Sequence, residues 1–590
     1  MEYPTLGVKS KSREMADAFH GYNHNLRIAD NEFYDMKNMT SDYYPVLAPR
    51  GRRGVYKDDI HARGLIAKDQ LCYVDGTAFV VGEDRVEMEL SQEPKQLISM
   101  GAYVIIMPDM KYVNTIDLED HGGLEASVHA SKVRITNCDI NGDPYDFKFM
   151  SKTAPAEPED NDLWLDTSGE TPVVKRYSAT NIMWSPVSRT YAKIAADGIG
   201  KEFKQYDGVT ISGIFTDIYK YLNGNAVVYG CGDDYIIVEG MIMIIDLDDF
   251  VFDESGNLAF PTADITIERK IPTMDFVIES NNRLWGCRYG KNRDGEVVNE
   301  IYASKQGDFK NWDCFMGLST DSYRVSCGTD GPFTGAITHL GYPLFFKETC
   351  VHKVYGDYPS NFRVQNTTCR GVQKGSHESL AIVNETLFYK SGNGVCAYDG
   401  SLPVEMSSAL GETRYSDAVA GAHGNKYYIN MKTADGGYHL FVYDTAKGMW
   451  HREDNLRVDQ FCSYRNEFYG IDHDTKHIIT MLGSGTQDDK KVPWMVETGL
   501  MGMDMPDMKY ISRLLLRMSL EVGSRVAVSI QYDSVGTWDH VCQMTVTSLR
   551  SFAVPVRLRR CDHFRIRIEG EGEGRIYSIT KTIEKGSDVS

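Results

Sequence analysis

Residues 276–315 read FVIESNNRLWGCRYGKNRDGEVVNEIYASKQGDFKNWDCF. Two strand-like runs, each with an aromatic residue, flank a Gly-rich hairpin, and a Ser-Lys-x-Gly-Asp segment followed by Trp312 ends the stretch. Apolar and aromatic runs bounded by Gly, Asn and Asp are typical of β-strands joined by tight turns. The stretch therefore predicts a hairpin unit of an all-β fold.

The cluster Ser304, Lys305, Gln306, Gly307 and Asp308 has two interpretations, a catalytic group or a structural corner. A Ser-Lys nucleophile pair usually has the S-x-x-K spacing on a helix, whereas here the two residues are adjacent. Adjacent strand residues point to opposite faces and cannot share a proton. Gly and Asp favour turns. We therefore predict a corner of a repeated unit, with Trp312 packed beneath it.

Similar hairpins recur along the chain at a spacing of about 40 residues, which is typical of propeller repeats. Helical periodicity over 11 or more residues is nearly absent, which favours an all-β protein. The fold class predicted is all-β: a β-propeller with inserted small β modules and a C-terminal β-sandwich. The segments with this pattern are 64–90, 96–117, 339–357, 379–400, 419–453 and 460–483.

The length of 590 residues exceeds what one core holds, since single cores stop growing at roughly 250–300 residues. Breaks in the strand pattern set the expected boundaries. An acidic, Pro-rich stretch at 153–162 marks an insertion, and the alternating strands near the C-terminus mark a separate sandwich. The expected parts are an N-terminal arm (1–55), the first part of the propeller (56–120), inserted β modules (121–272), the remainder of the propeller (273–485) and the C-terminal β-sandwich (486–590).

The charge of the chain argues against several classes of partner. Lys and Arg number 63 against 83 Asp and Glu, which gives a formal net charge of −20. Such a protein repels nucleic acid and anionic lipid. The start of the chain lacks the apolar segment of a signal peptide, and apolar runs such as 241–245 fall far short of the ~20 residues that span a bilayer. We expect a soluble protein, made in the cytoplasm, with no membrane insertion.

The sequence lacks several common nucleotide-binding, catalytic and metal-binding motifs: it has no P-loop, H-E-x-x-H, G-x-S-x-G or EF-hand pattern. The twelve Cys occur singly, without C-x-x-C spacing, so we expect reduced thiols and no zinc site. The pairs Asp233-Asp234 and Asp248-Asp249 fit glycosidase acids or Ca²⁺ ligands, but surface solvation explains them more simply. No catalytic, cofactor-binding or metal residue is predicted, and no cofactor.

Three further features of the sequence have a structural interpretation. YDSVGTW (532–538) superficially resembles the Asp-box turn of sialidase propellers, but its spacing differs and it falls in the C-terminal sandwich. His563 is interpreted as a strand residue. Arg50, Arg52 and Arg53 form a dense basic cluster in the N-terminal arm, which fits either phosphate binding or a solvated or intersubunit arm, and the acidity of the chain favours the arm. Between subunits, these arginines would pair with acidic groups of a neighbour.

Several motifs support a family resemblance. These are NNRLWGCRYG followed by EIYASKQGDFKNWDCF, LFFKETCVHKVYGDYPSNFRVQ, LFYKSGNGVCAYDGSLPVEMS and, near the start, NMTSDYYPVLAPRGRRG. They resemble β-propeller structural proteins of tailed bacteriophages, above all the tail-hub or nozzle proteins of short-tailed phages, also called packaged-DNA stabilisation proteins. The resemblance covers about residues 30–120 and 275–485. Its motifs are structural, so no functional residue carries over.

The resemblance implies a virion structural protein in the phage tail, not an enzyme. Copies of the chain would form a homo-oligomeric ring below the portal and adaptor, in contact with tail-fibre or spike proteins, and would channel and retain the packaged DNA. Double-stranded DNA would be a partner only by non-specific passage.

The alternative is a peripheral tail component that binds or degrades host surface glycan. Glycan cleavage would need two carboxylates about 5–10 Å apart in a pocket. Glycan binding would need exposed aromatic platforms, for which Trp164 and Trp184 are the candidates.

Overall fold

The computed structural model describes residues 11–169, 171–215, 219–242, 251–252, 258–259, 264–484, 491–545 and 548–586. These residues form strands and three short 3₁₀-helices, with no α-helix among them, which confirms the all-β prediction. The 3₁₀-helices are Lys220–Leu222, His377–Ser379 and Ser408–Leu410. The chain divides into two compact units, residues 1–97, 333–353 and 366–590, and residues 98–332 and 354–365.

Seven small four-stranded sheets follow one another along the described chain, and we name them sheets A to G. Sheet A contains Ala62–Ala67, Leu71–Asp75, Ala78–Val81 and Asp84–Glu87, and sheet B contains Gln96–Met100, Tyr103–Met107, Lys111–Asn114 and His121–Gly123. Sheet C contains Phe276–Ser280, Arg283–Lys291, Val297–Ala303 and Tyr323–Ser326. Sheet D contains Gly335–His339, Tyr342–Lys347, Cys350–Tyr355 and Arg363–Thr368, and sheet E contains Ala381–Val383, Thr386–Lys390, Val395–Tyr398 and Val404–Glu405. Sheet F contains Tyr415–His423, Lys426–Thr433, Tyr438–Asp444 and Met449–Arg452, and sheet G contains Val458–Tyr464, Glu467–Asp472, Ile478–Thr480 and Gly54–Lys57.

Sheet G differs from the other six because its fourth strand, Gly54–Lys57, comes from the N-terminal part of the chain. This strand pairs antiparallel with Ile478–Thr480. Arg53 lies directly before it and is only 8% exposed, with its guanidinium 2.5 Å from Glu453 and 2.7 Å from Asp454. The ion pairs therefore fix the point where the early strand joins the late ones.

The prediction that the arginine cluster pairs with a neighbouring subunit is wrong for two of its three members. Arg50 and Arg53 are buried and bond within their own chain, Arg50 through Asn38 at 2.8 Å. Arg52 remains partly exposed, 3.9 Å from Glu521. Two of its side chains, Arg50 and Arg53, pair with the carboxylates of Glu453 and Asp454, which follow sheet F. Composition alone does not reveal these pairs.

Two larger sheets combine strands from both ends of the chain. A five-stranded sheet contains, in spatial order, Phe33–Lys37, Pro493–Thr498, Phe564–Glu571, Arg525–Tyr532 and Asp539–Met544. A four-stranded sheet contains Lys11–Ala16, Gly574–Lys585, Lys509–Leu520 and Arg550–Val554. The N-terminal segment, predicted as an arm over 1–55, thus contributes a strand to each. Its apolar side chains explain this, since Phe33 and Met36 are fully buried in a core shared with Ile568.

Residues between sheets B and C form their own sheets. A seven-stranded sheet contains Ala126–Ala130, Ile265–Arg269, Gly208–Ser212, Gly224–Gly232, Tyr235–Glu239, Tyr191–Ala195 and Arg134–Cys138. A four-stranded sheet contains Phe149–Ser151, Leu163–Asp166, Val173–Ser178 and Met183–Pro186. We call these two sheets the insert. Two short pairs complete the strands, Met39–Thr40 with Ala48–Pro49, and Val251–Phe252 with Leu258–Ala259.

All twelve cysteines are free thiols, and seven of them are buried. Burial raises the pKa of the Cys72 and Cys314 thiols to about 11, which keeps them protonated and unreactive near neutral pH. The described residues include no helix that is long and apolar enough to cross a bilayer.

A buried histidine in sheet F makes stability depend on pH. Burial lowers the pKa of His451, 4% exposed, to about 4 from an ordinary value of 6.5. The unfolded chain therefore takes up a proton between pH 6.5 and 4 that the folded chain does not, so the free energy of unfolding falls as the pH falls through this window. A shift of this size corresponds to about 3 kcal/mol.

We expect urea unfolding of the first unit to need markedly less denaturant at pH 4.5 than at pH 7. His451→Phe removes the titrating group and should flatten this pH dependence in part, because burial also lowers the pKa of His352 and His439 to about 4. An unchanged pH dependence in the variant would show that His451 does not contribute.

Candidate functional site

The Ser-Lys-x-Gly-Asp segment forms a turn after a strand of sheet C, as predicted. Ser304 is fully buried, and its hydroxyl accepts a hydrogen bond from the Leu284 amide at 3.0 Å. Gly307 has a φ of +74°, a conformation that a side chain would strain. Asp308 pairs with Lys204 of the insert at 2.9 Å. Trp312 is 3% exposed, so the segment is a packed corner.

This corner holds the loop that carries Asp313. Asn311 is fully buried, and its side chain accepts from the Gly208 amide at 3.1 Å and donates to the Tyr206 carbonyl at 2.6 Å. A Cβ atom on Gly208 would lie 2.4 Å from the backbone of Asp313, so only glycine permits this approach. The insert and sheet C thus position Asp313 together.

A group of polar side chains occupies one face of sheet C. Glu300 and Tyr302 alternate along their strand, so both side chains lie on the same face. Glu300 lies opposite Ser326 on the neighbouring strand, and Tyr302 lies opposite Arg324. The Tyr302 hydroxyl donates to Glu300 at 2.8 Å, and the Ser326 hydroxyl donates to the other oxygen at 3.3 Å. The Glu300 carboxylate is therefore held in a fixed orientation.

These side chains line a cavity of about 210 Å³ that we call the carboxylate cavity. Its lining includes Glu300, Tyr302 and Arg324 of sheet C, Asp313 of the loop between two strands of that sheet, and Thr210 of the insert. Arg324 donates to Asp313 at 2.9 Å. Both oxygen-rich and cationic groups therefore face the same space.

Four carboxylate residues line the cavity, Asp294, Glu296, Glu300 and Asp313, and the last two have different surroundings. Burial raises the pKa of Asp313 above its ordinary value, the neighbouring charge of Asp294 raises it further, and Arg324 opposes both. Burial also raises the pKa of Tyr302, and its bond to Glu300 adds to this, so Tyr302 stays a neutral donor. Asp313 is thus the carboxyl group of the pair that holds a proton more readily than an exposed aspartate.

A second cavity, of about 270 Å³, adjoins the first because Asp313 and Asn225 line both. We call it the aromatic cavity. Its other lining residues include Tyr221, Tyr229 and Phe315. Phe315 is 53% exposed, which is unusual for a phenyl ring. The two cavities together make a continuous polar and aromatic surface around Asp313.

The other sequence candidates lie elsewhere or have structural roles. Trp164 is 4% exposed, with its ring 5.4 Å from that of Trp184, so Trp164 is not the exposed platform considered from the sequence. Asp234 accepts a hydrogen bond from Gly198 in a turn of the insert. Asp248-Asp249 lies outside the described residues. Within the described part of the chain, no group of three or more His, Cys, Asp or Glu is placed to hold a metal ion.

Sequence reasoning missed Asp313 and Glu300, although both lie in the stretch quoted first. The alternation of Glu300, Ile301 and Tyr302 marks one polar face of a strand. The partner strand follows after a loop of 19 residues, from 304 to 322. A loop of this length does not fix the strand register, so the sequence does not show that Ser326 and Arg324 lie opposite Glu300 and Tyr302.

No protein-family model matches the chain, and no curated protein matches it. Solved structures do match. One is PorZ, a surface component of the type-IX secretion system of Porphyromonas gingivalis, at 10% identity and a TM-score of 0.25, covering 91% of this chain and 82% of PorZ. Another is an exo-β-1,3-galactanase from Phanerochaete chrysosporium, at 10% identity and a TM-score of 0.21, covering 56% of this chain and 98% of the galactanase. A mutant Trypanosoma rangeli sialidase matches at 7% identity and a TM-score of 0.20, covering 98% of this chain and 96% of the sialidase.

These matches correct the prediction that the chain is not an enzyme. That prediction followed from structural motifs and absent catalytic spacings, whereas the matched structures include a galactanase and a sialidase. TM-scores of 0.25 or less carry no argument about a substrate or a mechanism.

Proposed function

We propose that this chain binds and hydrolyses a glycan at the carboxylate cavity. The observation that carries the proposal is that Asp313 and Glu300, two carboxyl groups in different environments, line one polar cavity. Glycoside hydrolysis uses such a pair, one as the general acid and the other as the base or nucleophile. The polar groups around them, Tyr302 and Arg324 above all, supply donors for sugar hydroxyls.

The environments of the two groups assign their roles. Asp313, whose pKa burial raises above the ordinary value of an aspartate, donates a proton to the oxygen of the leaving sugar. Glu300, oriented by Tyr302 and Ser326, acts on the opposite side as the base or nucleophile. Arg324 keeps the Asp313 side chain in place through its 2.9 Å contact.

The fold supports this proposal as a scaffold. We propose that the repeated four-stranded sheets are blades of a β-propeller, and that Gly54–Lys57 completes the blade formed by sheet G. We further propose that the two larger sheets pack as a β-sandwich, since side chains of both enter one core. A rigid scaffold of this kind holds loop residues such as Asp313 in fixed positions.

The proposal is tested by incubating the purified chain with a panel of bacterial capsular polysaccharides, lipopolysaccharides and plant and fungal glycans. We expect new reducing ends from at least one of them, quantified by a reducing-sugar assay and by mass spectrometry of the products. Heat-denatured protein is the control. Release of no product from any glycan, together with no measurable binding, would contradict the proposal.

The exposed phenyl ring of Phe315 should bind a sugar ring next to the one at the carboxylate cavity. Phe315→Ala removes that contact and should weaken binding of oligosaccharides by roughly ten-fold, since burial of a phenyl side chain contributes about 1.5–3 kcal/mol. A monosaccharide glycoside, which does not reach the aromatic cavity, should bind equally to both proteins. Isothermal titration calorimetry measures the affinities for the oligosaccharide and for the monosaccharide glycoside. Phe215→Ala removes another exposed phenyl ring and is the matched control.

The tail-hub role, with its ring of copies and its portal, adaptor and DNA partners, stays a prediction, as does location in the virion tail. A peripheral tail component that degrades host surface glycan is the assignment we favour, because the carboxylate cavity gives it a site. Electron microscopy of virions labelled with an antibody against this chain separates an axial ring from a peripheral position.

A further inference from the structure

A serine, a histidine and an aspartate lie in series on the five-stranded sheet, far in sequence from the carboxylate cavity. Ser534 follows the strand Arg525–Tyr532, and Asp562 and His563 precede the strand Phe564–Glu571. The Ser534 hydroxyl lies 2.7 Å from Nε2 of His563. Nδ1 of the same ring lies 2.9 Å from the Asp562 carboxylate. With its proton on Nδ1, the imidazole donates to Asp562 and accepts from Ser534.

Backbone hydrogen bonds fix the serine against the histidine. The amide of Asp533 donates to the His563 carbonyl at 3.0 Å. In return, the Asp533 carboxylate accepts from the amides of Asp562 and His563 at 2.6 and 3.3 Å. Because Asp533 is the direct neighbour of Ser534, these three bonds set the spacing of the serine and the imidazole.

The turn that carries the serine is strained. Asp533 and Ser534 have φ values of +52° and +51°, which are uncommon for residues with a side chain. Such conformations concentrate at active sites. Here the turn leaves Ser534 exposed on the loop while its hydroxyl contacts the ring nitrogen.

We propose that Ser534, His563 and Asp562 form a nucleophilic triad that hydrolyses acyl esters. His563 takes the proton of the Ser534 hydroxyl as its oxygen attacks the ester carbonyl, and returns that proton to the departing alcohol. The acyl group is then bonded to Ser534. Water, deprotonated by the same imidazole, attacks this ester and releases a carboxylic acid and the free serine. The Asp562 carboxylate stays ionised and stabilises the imidazolium in both steps.

The exposure of the triad indicates the class of substrate. Asp562 is 57% exposed at its side chain and Ser534 is exposed, so the site is open to solvent. An open site suits a short acyl group on a large, accessible carrier. Acetyl esters of polymer hydroxyl groups have this chemistry.

The test uses the full chain with a fluorophosphonate probe and with p-nitrophenyl acetate. The probe bonds to an activated serine with loss of fluoride, and peptide mapping should locate it at Ser534. Ser534→Ala should abolish both labelling and turnover. His563→Gln should lower turnover by roughly 10²- to 10⁴-fold, since it removes the general base. Ser551→Ala changes another exposed serine of the C-terminal region and should leave both unchanged.

Two results would overturn the proposal. One is labelling and turnover that persist in Ser534→Ala, which places the activity elsewhere. The other is a wild-type protein that is neither labelled nor active while circular dichroism shows it to be folded. Asp562→Asn separates a triad from a Ser-His pair: a fall of roughly ten-fold or more in turnover, with the Ser534 label still formed slowly, is expected for the triad.

Discussion

Replacing Asp313 by Asn should lower glycan hydrolysis by roughly 10²- to 10⁴-fold, the usual contribution of a general acid. The amide has nearly the shape of the carboxyl group but has no proton to give to the leaving sugar. Binding of the glycan should change little, because Arg324 and Tyr302 remain in the carboxylate cavity. The measurement is kcat and KM of purified wild-type and Asp313→Asn protein on the cleaved polysaccharide.

A substrate with an activated leaving group separates chemistry from damage to the fold. A dinitrophenyl glycoside needs no acid catalysis, so the variant should cleave it at nearly the wild-type rate. Asp330→Asn is the matched control, because Asp330 is an exposed aspartate of the same unit outside the cavity. Equal loss on both substrates would mean that Asp313 is needed for structure and not for proton transfer.

The pH dependence of hydrolysis should follow from the same group. Asp313 acts in its protonated form, so kcat should fall as the pH rises through the pKa of Asp313, which burial places above its ordinary value. Asp294→Asn removes a negative charge that raises this pKa and should therefore move the alkaline fall of kcat to lower pH. If kcat of Asp294→Asn falls at the same pH as kcat of the wild type, Asp294 does not raise the pKa of Asp313.

The second large effect concerns stability. Glu453→Ala should lower the free energy of unfolding of the first unit by about 3–5 kcal/mol, because it leaves the buried Arg53 without one of its two carboxylate partners. The strand Gly54–Lys57 begins at the next residue, so its pairing in sheet G should weaken as well. Urea unfolding followed by tryptophan fluorescence measures the change.

Glu521→Ala is the matched control for this experiment. It also removes a carboxylate that faces an arginine of the same cluster, but Arg52 is partly exposed, Glu521 is exposed, and the two are 3.9 Å apart. An exposed pair of this kind contributes about 0–1 kcal/mol. Equal destabilisation by the two variants would show that burial does not set the energy of the Arg53 contact.

The repeated hairpins could be predicted from the sequence because their signals are local. Apolar and aromatic runs followed by Tyr-Asp-Gly or a similar turn mark strands wherever they occur, and the corner at Gly307-Asp308 followed from turn chemistry alone. Pairings distant in sequence could not be predicted in this way. Nothing near Gly54 specifies Ile478–Thr480 as its partner, and nothing near Phe33 specifies Pro493–Thr498.

The candidate site was missed for a related reason. Its groups come from the insert, from two strands of sheet C and from the loop before Tyr323, so no spacing along the chain records them. The raised pKa of Asp313 depends on burial by residues from separate elements, which a sequence motif does not encode. The ion pairs of the arginine cluster could not be predicted either, because its partners Glu453 and Asp454 lie about 400 residues away in the sequence.

The most direct test of the central claim is a crystal structure of the Asp313→Asn variant with an oligosaccharide of the cleaved glycan. The account predicts sugar density in the carboxylate cavity, with a glycosidic oxygen within hydrogen-bonding distance of residue 313 and the anomeric carbon facing Glu300. A glycan bound at another surface, with the carboxylate cavity filled only by water, would contradict it.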